Sequence, residues 1–173
     1  MGSEMCIRDR VQGMGHNINA VLGKQPQIES MHREIKVGTV ETKGVGFSVL
    51  LLDESAFDSL TAEDNSPDPY TQFRFLSAPI YNMLFKVGSK AEIAYIETNY
   101  FGGVGSQAAL LIRHGEIVGP FATEDTWEKN ANEYTQNPLG QRAINHVLNL
   151  MGVSKTSKKD EFAIVGLETT RGY

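Results

Sequence analysis

The stretch Tyr100-Phe101-Gly102-Gly103-Val104-Gly105-Ser106-Gln107 constrains the fold more than any other, because three glycines in four positions divide two strand-like runs. Each glycine costs roughly 0.5–1 kcal/mol relative to alanine where ordinary backbone would serve. Three together cost about 2–3 kcal/mol, a visible share of a domain stability of about 5–15 kcal/mol. A chain carries that cost where the backbone turns sharply or where something approaches it closely. The expected reason here is a hairpin or bulged connection, with positive φ at Gly103 or Gly105. A phosphate cradle needs glycines that open a helix, with G-x-G-x-x-G or Gly-Lys-Ser/Thr spacing, and neither pattern follows.

Residues 1–13 are set aside as a non-native arm. Ser3-Glu4-Met5-Cys6-Ile7-Arg8-Asp9-Arg10 looks like translated sequencing adaptor, and the native start is expected at Met14. The one cysteine, Cys6, falls in that arm, so disulfides, a thiolate nucleophile and cysteine-ligated zinc are excluded as designs. Residues 14–173 are expected to form a single α+β domain of about 160 residues, burying roughly two-thirds of its unfolded surface. A net charge of −5 argues against a duplex-binding face, which needs clustered lysine and arginine. The absence of an apolar run near 20 residues gives no membrane span and points to a soluble, cytoplasmic protein.

Strand-like runs occur at His16–Leu22, Gly46–Leu52, Ala91–Phe101, Gln107–Ile112 and Glu116–Phe121, and Glu161–Leu167 reads as a final strand. Ala91–Phe101 is apolar on both faces, which places it centrally, and the runs around the glycines suit an antiparallel meander. Between Gln25 and Thr42 the pattern allows a short helical turn and then extended chain. Ser55–Leu60 suits a short helix. Leu76–Val87 reads as a helix with Ser77 as N-cap and Pro79 in the first turn, stopped by Gly88. A second main helix is expected to open at Asn137-Pro138 and run to Gly152. The fold class is therefore α+β: a largely antiparallel sheet of five to six strands with two main helices packed on one face. The acidic stretch Glu63-Asp64-Asn65-Ser66-Pro67-Asp68 reads as a solvated loop, since oxygen-ligand spacing is missing.

Glu97 is the residue most out of place, a carboxylate inside an apolar strand. It must be solvated, paired, or raised in pKa. The bland expectation is that it faces solvent near the strand end. The sharper one is that Glu97 and Gln107 converge beside the glycine turn, where Tyr100, Gly102, Gly103 and Gly105 complete a candidate binding site. His16, His32, His114 and His146 show no metal-binding spacing, no nucleophile motif appears, and neither metal nor cofactor is expected.

The string Ala94-Tyr95-Ile96-Glu97-Thr98-Asn99-Tyr100-Phe101-Gly102-Gly103-Val104-Gly105-Ser106-Gln107-Ala108-Ala109, with Pro138-Leu139-Gly140 and Asp160-Glu161-Phe162, resembles a group of small bacterial proteins that carry no activity to transfer. The resemblance spans about 14–167. Some proteins of that kind act as immunity factors or regulators, which the resemblance implies only by analogy. The leading expectation is a binding or interaction protein with a protein or small-molecule partner, without nucleic acid or membrane. The second is a small enzyme using Glu97 as acid/base beside glycine amides that hold an anion.

Overall fold

A computed structural model describes residues 16–61, 68–101, 104–128, 133–135 and 142–170. Seven strands, β1 (His16–Lys24), β2 (Thr39–Thr42), β3 (Phe47–Leu51), β4 (Glu92–Phe101), β5 (Val104–Arg113), β6 (Glu116–Glu128) and β7 (Glu133–Thr135), form one sheet in the order β2-β3-β1-β4-β5-β6-β7. Every pairing is antiparallel, and the α+β class expected from the sequence is the one observed. β4 and β5 close on each other through the Phe101–Val104 pair, so the glycine segment joins two strands of a ribbon. The helices are α1 (Gln25–Ile35), α2 (Glu54–Thr61), α3 (Ala78–Gly88), α4 (Ala143–Leu150) and α5 (Glu161–Val165).

The expectation of both main helices on one face is corrected: α3 and α4 cover opposite faces of the sheet. Ile18, Ala20, Leu22, Ala94, Ile96 and Ala109 pack against Ala143, Ile144, Val147 and Leu148 of α4. On the other side Val21, Leu50, Ile93, Tyr95 and Leu110 pack against Ile28 and Met31 of α1 and Ile80 and Leu84 of α3. The physical reason lies in the strands. Side chains alternate between faces, and β1, β3, β4 and β5 are apolar at both parities, so each face needs a cover. Fully burying one leucine- or isoleucine-sized side chain is worth about 1.5–3 kcal/mol, and leaving one face bare would forfeit several such terms.

Two further expectations change. Arg142 is extended (φ −62°, ψ 140°) and α4 opens after it, later than Asn137-Pro138; residues 136–141 lie outside those described. The sheet supplies the caps instead, since Thr123 Oγ1 accepts from the Ala143 N–H and Gln107 Oε1 from the Ile144 N–H, both at 3.3 Å. The run 161–167 is helical at its start rather than a strand. The Asp160 carboxylate accepts from the Ala163 N–H at 2.9 Å, and Gly166 ends the turn at φ 89°. The four-residue apolar run Phe162–Val165 fits either period, and these two caps decide it.

α1 is longer than the single turn expected. Pro26 sits in its first turn, Ile28 and Met31 are buried, and Lys36 stops it in the left-handed region (φ 57°). The segment 68–77 has no regular structure of its own, yet it closes over one end of the sheet.

Candidate functional site

The sheet face under α1 and α3 changes from apolar to polar toward one end. Tyr95 pairs with Val21 and Leu110, giving an apolar row. Two residues further along β4, Glu97 pairs with Asn19 and Ala108, and two further still Asn99 pairs with Asn17 and Ser106. The strand period of two puts all six on one face. A patch of amides, hydroxyl and carboxylate therefore continues the hydrophobic core outward.

Segment 68–77 lies over the start of that patch. Its apolar members Phe73 and Leu76 are buried in the core beside Tyr95, with the Phe73 and Tyr95 rings 5.5 Å apart. Between these anchors the backbone turns its N–H groups toward the sheet. Arg74 N–H donates to Glu97 Oε2 at 2.8 Å and Phe75 N–H to Glu97 Oε1 at 2.9 Å. The Tyr95 hydroxyl donates to the same Oε1 at 2.8 Å. Glu97 is only 7 % exposed, which overturns the solvent-facing expectation. A segment without secondary structure must place its backbone donors somewhere, and here a side-chain carboxylate receives them.

Burial pushes the Glu97 carboxyl above its usual range, and the N–H groups of Arg74 and Phe75 with the Tyr95 hydroxyl pull it partly back. The Tyr95 phenol is raised well above its ordinary value, first by burial and then by the adjacent Glu97 charge, so it stays protonated as a donor.

The polar patch and segment 68–77 enclose a cleft of about 230 Å³, lined by Asn17, Asn19, Glu97, Asn99, Ser106 and, from the covering segment, Gln72, Arg74 and Phe75. The Arg74 guanidinium lies 5.0 Å from the Phe75 ring centre, and that ring also stacks with Phe57 at 5.2 Å. Among the described residues, Asn17, Asn19, Asn99 and Ser106 show no side-chain hydrogen bond, and Arg74 has no carboxylate in ion-pair range. Each amide offers two donors and an acceptor, and the guanidinium five donors. The cleft can thus surround a small polar molecule with neutral hydrogen-bonding groups and one cation.

A wider groove of about 500 Å³ separates α1 from α3, and the Glu34–Lys86 ion pair at 2.7 Å lies along it. Among the described residues its one carboxylate, Glu34, is already taken by Lys86. The cleft is the better candidate.

Of the residues singled out from the sequence, Glu97 lines the cleft. Gln107 does not: it pairs with Thr98, faces α4, and caps that helix, so its expected convergence with Glu97 is corrected. Paired strands place residue 97 opposite 108, which puts Gln107 one step off and on the other face. Tyr100 is half-buried and belongs to the same alternate set as Thr98. Gly105 is not among the glycines with positive φ; a Cβ there would run into the Asn99 carbonyl oxygen, so close backbone approach is its reason. Gly102 and Gly103 lie outside the described residues. The sequence reading missed Asn17, Asn19, Asn99, Ser106 and Arg74. Asn17, Asn19 and Asn99 were legible as polar breaks in the alternation of β1 and β4, whereas Arg74 carried no sequence signal.

Among the described residues, no group of three His, Asp or Glu side chains could hold a metal ion, and no helix is long and apolar enough to cross a membrane. Compared with family models, curated proteins and solved structures, the chain matches none.

Proposed function

We propose that this chain is a small-ligand binding protein that works as a ligand-responsive regulatory factor, with the cleft at the polar end of the sheet as its site. The observation that carries the reading is the convergence of Asn17, Asn19, Asn99 and Ser106 in one concavity, none of them with a side-chain hydrogen-bond partner among the described residues. Binding sites use a few convergent polar groups on a rigid scaffold, and a sheet floor is such a scaffold. A concavity this small fits a metabolite better than a protein surface. Glu97 serves the site by fixing its wall. The reading takes the protein as soluble and cytoplasmic, in keeping with its acidic charge and single cysteine.

A catalytic reading with Glu97 as acid/base draws support from its raised pKa and its place in the cleft. Against it, both carboxylate oxygens already accept backbone N–H groups, and among the described residues no second titratable acid and no histidine or other base that could activate a hydroxyl lines the cleft with it. Binding is favoured.

A panel of small polar metabolites screened by thermal shift tests the reading, with Asn17→Val/Asn99→Val as the blind control. A ligand at about 100 times its Kd stabilises by about 2.7 kcal/mol. At least one compound should raise the melting temperature of the wild type and leave the variant unmoved. A panel that moves both proteins equally, or neither, rejects the cleft as a binding site.

A further inference from the structure

We infer that the cleft's ligand carries an oxyanion, a carboxylate or a phosphate, and that Arg74 is the residue that takes it; this rests on the cleft being a binding site. Three observations point there. Among the described residues, Arg74 is the one cation that lines the cleft, and it has no carboxylate partner there. Its backbone is pinned, because its own N–H and that of Phe75 are held by Glu97 at 2.8 and 2.9 Å. Its guanidinium is also held, lying over the Phe75 ring, which in turn stacks with Phe57. A surface arginine normally loses considerable side-chain freedom when it binds something. Here a fixed backbone and an aromatic platform have already removed part of that freedom, which is how a binding arginine is preorganised.

The chemistry of the other groups agrees. The guanidinium is a planar fork matched to carboxylate and phosphate oxygens, and it pairs with them bidentately. Beside it the Asn17, Asn19 and Asn99 amides and the Ser106 hydroxyl are neutral donors, suited to the remaining oxygens or to a polar body attached to them. Among the described residues lining the cleft, Glu97 is the one group that shares the charge sign of an oxyanion. Its oxygens are turned toward the Arg74 and Phe75 N–H groups and the Tyr95 hydroxyl, so little of its charge faces the cleft. A cationic ligand would meet Arg74 unshielded. A neutral one would leave a desolvated guanidinium without an acceptor, at a cost.

The test is a heteronuclear NMR titration of the full chain at constant ionic strength with three probes: inorganic phosphate, succinate and glucose. Wild type, Arg74→Gln and Arg74→Lys are compared, with melting temperatures recorded to show that the variants fold. Phosphate or succinate should shift the side-chain amides of Asn17, Asn19 and Asn99 saturably in the wild type. Arg74→Gln should weaken that binding by about tenfold or more, and Arg74→Lys should recover part of it. Saturation by phosphate alone assigns a phosphate ester, and by succinate alone a carboxylate; either supports the inference. Anions that leave the cleft amides unmoved, or that bind Arg74→Gln as tightly as the wild type, overturn it. If glucose alone shifts those amides, the oxyanion assignment falls while the binding cleft stands. If no probe shifts them, the assignment also falls, and the metabolite panel decides separately whether the cleft binds.

Discussion

Replacing Glu97 by alanine should cost the protein about 2–4 kcal/mol of stability. The carboxylate receives the Tyr95 hydroxyl and the N–H groups of Arg74 and Phe75, at 2.8, 2.8 and 2.9 Å. A buried donor left without an acceptor costs about 1–3 kcal/mol. The Tyr95 hydroxyl, on a residue only 1 % exposed, counts nearly in full. The two backbone groups are partly buried, so water entering the vacated space recovers some of their loss. Removing a carboxylate that burial disfavours in its charged form offsets a further part. Urea unfolding followed by far-ultraviolet circular dichroism reads the difference directly. A loss below about 1 kcal/mol would show that the two backbone hydrogen bonds to Glu97 do not hold segment 68–77 in place. The pH dependence gives a second, signed check with Glu97→Gln, which cannot titrate. A carboxyl raised in the folded state contributes most below its ordinary value of 4.5, and that contribution fades as pH rises through the higher folded value. The stability gap between wild type and Glu97→Gln should therefore widen as pH falls from about 7 toward 4. A gap that narrows would mean the N–H donors outweigh burial and lower the pKa.

Three other substitutions test the frame around the cleft. Gly105→Ala should destabilise by about 1–3 kcal/mol, because its Cβ would collide with the Asn99 carbonyl across the ribbon; an unchanged melting curve would refute the close approach. Gln107→Leu should lose about 1 kcal/mol through the uncapped Ile144 N–H while leaving any ligand titration of the cleft unchanged, since Gln107 faces α4; a shifted affinity would place it in the site after all. Asp160→Ala should cost about 1 kcal/mol by removing the cap on α5, measured by urea unfolding; no loss would mean the Ala163 hydrogen bond carries no weight.

The sheet was legible because its strands carry long apolar runs, and β4 and β5 pair back on each other through Phe101 and Val104 on either side of the glycines. The same runs held the clue to the second helical layer. Both parities of β4 are apolar, and a face that is apolar needs a cover. Glu97 stood out as a carboxylate among apolar neighbours. Its partners did not, because Arg74 and Phe75 act through backbone N–H groups that any residue could supply, from a segment with no periodicity. Gln107 was misplaced by proximity in sequence, when the pairing of Thr98 with Gln107 already set it on the far face. The stretch 161–165 shows the limit of short apolar runs: strand and helix periods both fit, and only Asp160 and Gly166 separate them.

Amide hydrogen exchange at Arg74 and Phe75 is the sharpest single test of how the cleft is built. Both residues have exposed side chains in a segment without helix or strand, where free amides would exchange at unprotected rates. Hydrogen-bonded to the buried Glu97 carboxylate, they should exchange orders of magnitude more slowly, and Glu97→Ala should release both together. Exchange at unprotected rates in the wild type would mean that nothing clamps the segment to the sheet, and the cleft would lose its wall.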